Sequence, residues 1–324
     1  MNINIFIASY LSQASAQQFS ISTNSDADIE KVKFKDLALE QHNGISALDR
    51  SLNYGDGCFT TMYCESGSIF ILEQHLLRLE HDAHKLGINF CIKTVKFWLL
   101  KACSHLLSDE IEATAIKILV SRGIGGRGYE PPLTTTPQVI IGLYPTSKLM
   151  ACVSDFTAYK YSVQIAKMQL STQPLLAGIK HLNRLEQVLA KQELQQQECD
   201  DLLLCNQTGN VVEATASNLF YLKNGVWVTP KITECGVNGV MRKSILKFMH
   251  DHEIKFAVKN ITTHDLLDAE SVFLCNAIKF IVPVSSFYTA NKNVTYQVPP
   301  SFKLLSTISE WLNRENIGIS RNIA

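Results

Sequence analysis

Apolar residues recur at three- and four-residue steps in several parts of the chain, the spacing that places side chains on one face of a helix. Within residues 73–86 this pattern predicts a helix with a buried, leucine-rich face that ends at Gly87. Helical signals continue at 95–107, 181–198, 238–250 and 302–313. In the segment 181–198, the predicted buried face comprises Leu182, Leu185, Val188 and Leu189.

Shorter β-prone runs bounded by turn residues predict strands. Residues 59–64 and 68–72 should form a hairpin, and 115–121 and 139–144 are apolar throughout much of their length. Further strands are predicted at 201–205, 219–222, 226–229, 255–258 and 272–274. Asn224-Gly225 separates two of these runs and favours a two-residue hairpin turn. This mixture of helices and strands predicts an α+β fold.

The order of these elements divides the chain into two predicted domains. Residues 1–29 include a stretch rich in Ser, Gln, Asn and Asp and are expected to form a flexible N-terminal extension. Residues 30–144 form the predicted small domain, and 145–152 form a linker marked by Pro145. Residues 153–324 form the predicted large domain.

Composition narrows the possible functions. The chain has 324 residues, 46% hydrophobic and 19% charged, and its 30 basic residues balance its 30 acidic ones. No basic stripe stands out, which argues against a nucleic-acid partner. No apolar run approaches the roughly eighteen residues of a membrane span. A targeting signal requires basic residues near its start, but no Lys or Arg precedes Lys31. The nine cysteines contain no C-x-x-C pair, which indicates reduced thiols in a cytoplasmic protein and no metal site.

Lys180 is the main candidate for chemistry. It lies where an apolar lead-in, residues 174–178, meets the predicted helix 181–198. The simpler interpretation is a lysine that extends its ammonium group to the surface. The alternative is a desolvated lysine with a lowered pKa that acts as a nucleophile or base.

Five stretches in order carry a resemblance to a known family: 54–61, 121–129, 178–188, 212–220 and 236–242. A sixth match, Cys275-Asn-Ala277, is short. Together they resemble the aminodeoxychorismate lyase family of fold type IV pyridoxal 5'-phosphate (PLP) enzymes, which is related to the branched-chain and D-amino-acid aminotransferases. The resemblance covers about residues 44 to 285. It implies a small α/β sandwich domain, a larger pseudo-barrel domain that binds PLP, and a homodimer.

The resemblance also implies roles for individual residues. Lys180 would hold the PLP aldehyde as an imine and transfer protons during catalysis. Glu213 would keep the pyridine nitrogen charged. The residues implied to contact the phosphate are Arg78, Val237, Asn238 and Asn276.

Each of these positions also has a structural interpretation. Glu213 could be an exposed residue at a strand end, and Arg78 a solvated residue on a helix surface. Asn238 could be a simple N-cap residue for the helix that follows. The glycine- and arginine-rich stretch 121–129 could be a mobile connector.

The same stretch suggests the substrate, because a loop with two arginines can bind a carboxylate. We expect Arg127, with Arg122, to bind a carboxylate of 4-amino-4-deoxychorismate, and Thr61 to lie at the substrate. The implied products are 4-aminobenzoate, a folate precursor, and pyruvate. Two alternatives stay open: a branched-chain or D-amino-acid aminotransferase of the same fold, and a PLP- or anion-binding module without catalytic activity.

Overall fold

The computed structural model describes residues 4–9, 34–37, 45–65, 68–108, 113–134, 136–146, 160–290, 292–296 and 317–318. These residues fall into two compact units. The first unit contains the described residues up to 146, together with 181–183 and 317–318, and the second contains the others. The change between units therefore falls close to the predicted linker, most of which lies outside the described residues. The predicted helix 302–313 also lies outside them.

The first unit is built on an antiparallel sheet backed by two helices. Its elements are β1 (Asn4–Ser9), β2 (Phe34–Leu37), α1 (Arg50–Tyr54), β3 (Gly57–Glu65), β4 (Ser68–Ile69), α2 (Leu72–Lys85), α3 (Ile92–Ser108), β5 (Ala113–Ser121), β6 (Gln138–Pro145) and β17 (Ile317–Gly318). The seven strands lie in the order β17-β4-β3-β5-β6-β1-β2. Leu79 of α2 and Trp98 of α3 pack with Ile116 of β5 in one core. The antiparallel pair β3–β4 agrees with the predicted hairpin, and α2 agrees with the predicted helix 73–86.

Strand β1 differs from the sequence prediction. It lies within the segment that was predicted as a flexible extension, yet it pairs with β6 on one side and with β2 on the other. Four of its six residues are apolar, Ile5, Phe6, Ile7 and Ala8, and such a run suits a strand with neighbours on both sides. The polar stretch that follows β1 lies outside the described residues.

The described residues of the second unit form two five-stranded sheets and three helices. Its elements are β7 (Ser162–Leu170), α4 (Leu185–Leu194), β8 (Asp201–Asn206), β9 (Val211–Ala214), β10 (Asn218–Lys223), β11 (Val226–Pro230), α5 (Val240–Asp251), β12 (Phe256–Lys259), α6 (Thr263–Leu267), β13 (Ser271–Asn276), β14 (Phe280–Val284), β15 (Ser286–Tyr288) and β16 (Asn293–Thr295). The sheet orders are β12-β11-β10-β13-β14 and β16-β15-β7-β8-β9. Leu203 of one sheet and Leu219 and Leu274 of the other share a core, as the predicted pseudo-barrel domain requires. The α+β fold in two parts is confirmed.

The turn between β10 and β11 matches its sequence signal. Asn224 and Gly225 have φ angles of 51° and 71°, both in the left-handed region that a two-residue hairpin turn demands. Lys223 pairs directly with Val226 across this turn.

The predicted helix 181–198 is wrong at both ends and in its buried face. Residues 181–183 are not helical; they belong to the first unit, where the Leu182 amide donates to the Gly57 carbonyl at 3.0 Å. Leu185, Val188 and Leu189 are 69%, 49% and 43% exposed. The helix instead packs on β7 and β8 through its opposite side, with Ala190 in the core. The apolar spacing was therefore real, but it marks the outer face.

Candidate active site

The segment before Lys180 is tied to a distant part of the second unit. The Gly178 amide donates to the Gly236 carbonyl at 2.9 Å, and the Asn238 amide donates back to the Gly178 carbonyl at 3.1 Å. Gly178 has a φ of 83°, which favours glycine. Lys180 follows two residues later and is half-buried. The lysine thus stands on a backbone that is fixed by two long-range hydrogen bonds.

Glu213 is a buried carboxylate on β9. Its Oε2 accepts the Val237 amide at 2.8 Å, and its Oε1 lies 3.5 Å from Nε2 of Gln187. Burial raises the pKa of Glu213, while the Val237 hydrogen bond and the charges of Arg184 and Lys180 act in the opposite direction. The exposed strand-end interpretation is therefore wrong. Lys180 and Glu213 belong to one electrostatic cluster.

The turn that precedes α5 already uses the two amides predicted to bind the phosphate. The Val237 amide donates to Glu213, and the Asn238 amide donates to Gly178. Helix α5 starts at Val240 with Gly239 as its N-cap, so Asn238 is not the cap. Amides in the first turn of a helix have no carbonyl partner within that helix. The first turn of α5 is therefore the part of this segment that can offer donors to an anion.

Asn218 fixes the same turn from the side. Its Nδ2 donates to the Val237 carbonyl at 2.8 Å, and its Oδ1 accepts the Gly239 amide at 3.1 Å. A Cβ atom at Gly239 would lie 2.2 Å from this Oδ1, so the turn requires glycine there.

Asn276 lies at the end of β13 and also fixes local structure. Its Nδ2 donates to Oγ of Ser217 at 3.0 Å, and its Oδ1 accepts the amides of Ile278 at 2.9 Å and Lys279 at 2.7 Å. Its contact with a phosphate stays a prediction.

Arg242 is a buried residue beside the turn that precedes α5, and sequence reasoning missed its structural role. It is buried and donates to Oγ1 of Thr229 at 3.1 Å, to the Pro230 carbonyl at 2.9 Å and to Oδ1 of Asn238 at 2.8 Å. Burial lowers the pKa of Arg242. Its position four residues after Asn238, at the end of the stretch 236–242, is the signal that could have revealed it.

In the first unit, Arg78 is buried on α2, so the interpretation as a solvated surface residue is wrong. Its Nη2 donates to Oγ1 of Thr60, which lies 2.7 Å from Nδ1 of His75. Burial lowers the pKa of Arg78, and the nearby charge of Asp82, with its carboxylate 4.0 Å away, opposes this shift. The Nε of Arg78 is buried and has no hydrogen-bond partner among the described residues.

Arg122 and Arg127 have different environments. Arg122 donates to both carboxylate oxygens of Asp56, at 2.7 and 3.0 Å, and to the carbonyls of Leu86 at 2.6 Å and Gly87 at 2.9 Å. Its guanidinium is thus engaged within the unit. Arg127 is exposed, and the described residues provide no hydrogen bond or ion pair for its side chain. Of the two, Arg127 is the cation that a substrate could reach.

Thr61 is half-buried on β3, next to the buried Thr60. Successive residues of a strand point to opposite faces, so these two threonines face different sides of the sheet. Thr60 contacts Arg78, whereas the contact of Thr61 with a substrate stays a prediction.

Arg50 is a second residue that the sequence did not reveal. It is only 4% exposed and donates to Asp56 at 2.8 Å and to the Tyr129 carbonyl at 3.0 Å. It also contacts three other carbonyls of the stretch 125–130, which lie 75 to 80 positions along the chain. No local pattern could indicate these contacts, because the acceptors are backbone atoms.

The predicted residues therefore form two groups. Five of them belong to the second unit: Lys180, Glu213, Val237, Asn238 and Asn276. Four belong to the first unit: Thr61, Arg78, Arg122 and Arg127. No group of three or more potential metal ligands occurs among the described residues, and none of the described helices is long and apolar enough to cross a membrane.

The chain is similar to known proteins over most of its length. A family model for amino-transferase class IV matches residues 57–287. The aminodeoxychorismate lyase of Vibrio harveyi is 36% identical over 254 residues, which cover 77% of this chain and 90% of that protein. The chain belongs to the class IV aminotransferase family.

Two further similar proteins extend the comparison. The crystal structure of 4-amino-4-deoxychorismate lyase from Pseudomonas aeruginosa has a TM-score of 0.73 and 32% identity, and the match covers 85% of this chain and 96% of that one. The D-alanine aminotransferase of Bacillus licheniformis is 27% identical over 263 residues, 79% of this chain and 88% of that protein. The expected family and fold are confirmed.

Proposed function

We propose that this chain is a PLP-dependent lyase that converts 4-amino-4-deoxychorismate to 4-aminobenzoate and pyruvate. The observation that carries the proposal is the buried Glu213, whose carboxylate feels the charge of Lys180 in a chain related to aminodeoxychorismate lyases. A carboxylate with a raised pKa is stabilised by a cation placed beside it. A protonated pyridine nitrogen is such a cation.

The residues present fit PLP group by group. The second unit offers an amine at Lys180 for the aldehyde and a carboxylate at Glu213 for the ring nitrogen. The first turn of α5, which begins at Val240, offers amides for a phosphate. From the family resemblance, Arg78 is proposed as a cation that binds the phosphate. Asn238 and Asn276 would fix the surrounding turns.

When bound, PLP supplies an electron sink for the pair released from the substrate. Lys180 would remove the proton from the substrate ring carbon that bears the amine. Glu213 would keep the facing nitrogen protonated, and Arg127 would bind a substrate carboxylate. Lys180 or a water molecule would then give a proton to the departing enolpyruvyl group. The ring that remains is aromatic, and this gain drives the reaction toward 4-aminobenzoate.

Replacing Lys180 with Ala tests the proposal. We expect the variant to lose the visible absorbance of the bound cofactor and to release pyruvate roughly a thousandfold more slowly, because no other group would be placed to move the proton. Lys223→Ala is the control, since Lys223 forms an exposed pair with Asp268. A Lys180 variant that kept both the absorbance and the activity would exclude the assigned role.

Replacing Arg127 with Ala tests the substrate. The KM for aminodeoxychorismate should rise while cofactor absorbance stays constant, since the arginine would contact only the substrate. An unchanged KM and kcat/KM would remove Arg127 from the site.

An aminotransferase of the same family is the second candidate, because a D-alanine aminotransferase is also a relative over most of the chain. The lyase is favoured by the higher identity to the Vibrio harveyi lyase. Pyruvate released from aminodeoxychorismate without any keto acid would support the lyase. Amine transfer that depends on an added keto acid would support the aminotransferase.

The proposed setting is a cytoplasmic homodimer that supplies 4-aminobenzoate for folate synthesis. The eight described cysteines are all free thiols, as suits a reducing compartment. The exposed apolar face of α4, with Leu185, Val188 and Leu189, is a surface that a second copy could cover. Sedimentation of the purified protein tests the dimer, and growth of a deletion strain with and without 4-aminobenzoate tests the pathway.

A further inference from the structure

The loop of residues 123–130, here called the arginine loop, curls around a cation. Nη1 of Arg50 lies 3.4 Å from the Gly125 carbonyl, 3.3 Å from the Gly128 carbonyl and 3.3 Å from the Glu130 carbonyl. Nη2 of Arg50 donates to the Tyr129 carbonyl at 3.0 Å. One guanidinium therefore touches four carbonyl groups on both sides of Arg127.

The glycines of the arginine loop allow this curl. Gly123, Gly125, Gly126 and Gly128 have φ angles of 92°, 144°, 75° and 65°, a region that other residues rarely adopt. A Cβ atom at Gly126 would lie 2.7 Å from the Glu130 carbonyl oxygen and 3.4 Å from Nη1 of Arg50. The glycine-rich sequence thus serves to turn carbonyl groups toward Arg50.

The base of this arrangement is also fixed. The Asp56 carboxylate accepts hydrogen bonds from Nε of Arg50 at 2.8 Å and from Nε of Arg122 at 2.7 Å. Burial raises the pKa of Asp56, but hydrogen bonds and charges from Arg122 and Arg50 outweigh it and hold the pKa below its usual value. The Arg50 amide donates to the Gly123 carbonyl at 3.0 Å, so its backbone holds the start of the loop as well.

We propose that Arg50 is a positioning residue that holds the arginine loop in one backbone conformation and thereby places the side chain of Arg127 for the substrate carboxylate. This inference rests on the proposed function for the substrate, although its structural part does not. The side-chain N–H groups of Arg50 contact Asp56 and the loop carbonyls. Arg50 therefore acts on the substrate indirectly, through Arg127. The planar fork of an arginine can reach several acceptors at once, which the single ammonium of a lysine cannot do.

Replacing Arg50 with Lys separates charge from geometry, because the ion pair with Asp56 can persist while the carbonyl contacts are lost. We expect the KM for aminodeoxychorismate to rise roughly 10- to 100-fold, since a small displacement of a binding group has effects of this size. The kcat and the cofactor absorbance should change little. In the Arg127→Ala background, the same replacement should raise the KM less than about twofold further, because Arg50 acts on the substrate through Arg127.

Trypsin provides a test that needs no activity. It cleaves after exposed arginines in mobile segments, and the Arg127–Gly128 bond lies within the loop. Mass spectrometry should show cleavage there at least about tenfold faster in Arg50→Lys than in the wild-type protein. Leu99→Ala is the control, because Leu99 is fully buried in the core of the first unit, away from the loop, and its loss destabilises that unit without removing a loop contact. Gly126→Ala approaches the same contact from the loop side and should reproduce both effects.

The outcomes separate the two proposals. A KM effect that is fully additive with Arg127→Ala, or loop cleavage no faster than in Leu99→Ala, would overturn the role of Arg50. Faster loop cleavage in an otherwise well-behaved protein that never releases pyruvate would support the loop role and remove the proposed lyase function. Faster cleavage together with a KM effect that vanishes without Arg127 would support both.

Discussion

Gly236 lies between the segment before Lys180 and the residue that binds Glu213 in the proposed cofactor site. Replacing Gly236 with Ala tests the geometry of this turn. Its carbonyl accepts the Gly178 amide at 2.9 Å, and the next residue donates its amide to Glu213. Gly236 has a φ of 83°, and an added Cβ atom would lie 2.6 Å from Cγ1 of Val212 and 3.4 Å from Oε2 of Glu213. The methyl group therefore meets both backbone strain and a steric clash.

Gly209 supplies a matched control. Its φ is 80°, and a Cβ atom there would have nothing within 4 Å. The left-handed conformation costs a residue with a Cβ atom about 1–2 kcal/mol, and this cost should be common to both variants. Overpacking adds about 1–3 kcal/mol, and this term applies to Gly236 alone. The free energy of unfolding should therefore fall by about 1–3 kcal/mol more in Gly236→Ala than in Gly209→Ala.

Urea unfolding of the two variants, each without and with added PLP, measures this difference. Gly236→Ala should also need more PLP for half-saturation than Gly209→Ala, because the clash displaces the turn that holds Glu213. Equal stability of the two variants would show that the turn is looser than the distances indicate. Equal PLP affinity despite unequal stability would separate this turn from the cofactor site.

Three further predictions follow from buried groups. Glu213→Gln should lower kcat for pyruvate release about 100- to 1000-fold, because a charge pair in contact can be worth about 4 kcal/mol and the amide carries no charge. Asp56→Asn should destabilise the protein at pH 7, measured by urea unfolding. Because the pKa of Asp56 is lowered in the folded state, its contribution is present above pH 3.8 and the difference between variant and wild type should shrink as the pH falls below that value. Trp98→Ala should reduce the free energy of unfolding by about 3–5 kcal/mol through the cavity it leaves, without changing kcat of the folded enzyme.

The sequence predicts elements whose signals are local. Helix α2 and the hairpin at Asn224-Gly225 both follow from residue spacing and turn chemistry. The apolar period of Leu185, Val188 and Leu189 was misleading, because an outward face and a buried face of a helix have the same spacing. Only the packing partners of the helix distinguish the two.

Candidate site residues were identified where a motif carries a charged side chain, and their roles stay predictions; residues whose partners are backbone atoms were missed. Lys180 and Glu213 stand within recognisable stretches. Arg50 binds carbonyl oxygens that any residue type could supply, at positions 75 to 80 residues away. The hydrogen bonds of the Val237 and Asn238 amides were also missed, because a sequence does not show which acceptor a backbone amide binds.

The pair of hydrogen bonds between Gly178 and the segment 236–238 also has a consequence for synthesis in the cell. The ribosome synthesises Lys180 well before that segment, so in a nascent chain the backbone before Lys180 first lacks these two hydrogen bonds. Strands β8 to β11 lie between the two segments in the chain, so they must be synthesised before Gly236 can reach Gly178. If the proposed PLP site is correct, we expect an unfinished chain not to bind PLP, and binding to begin only after translation has passed α5.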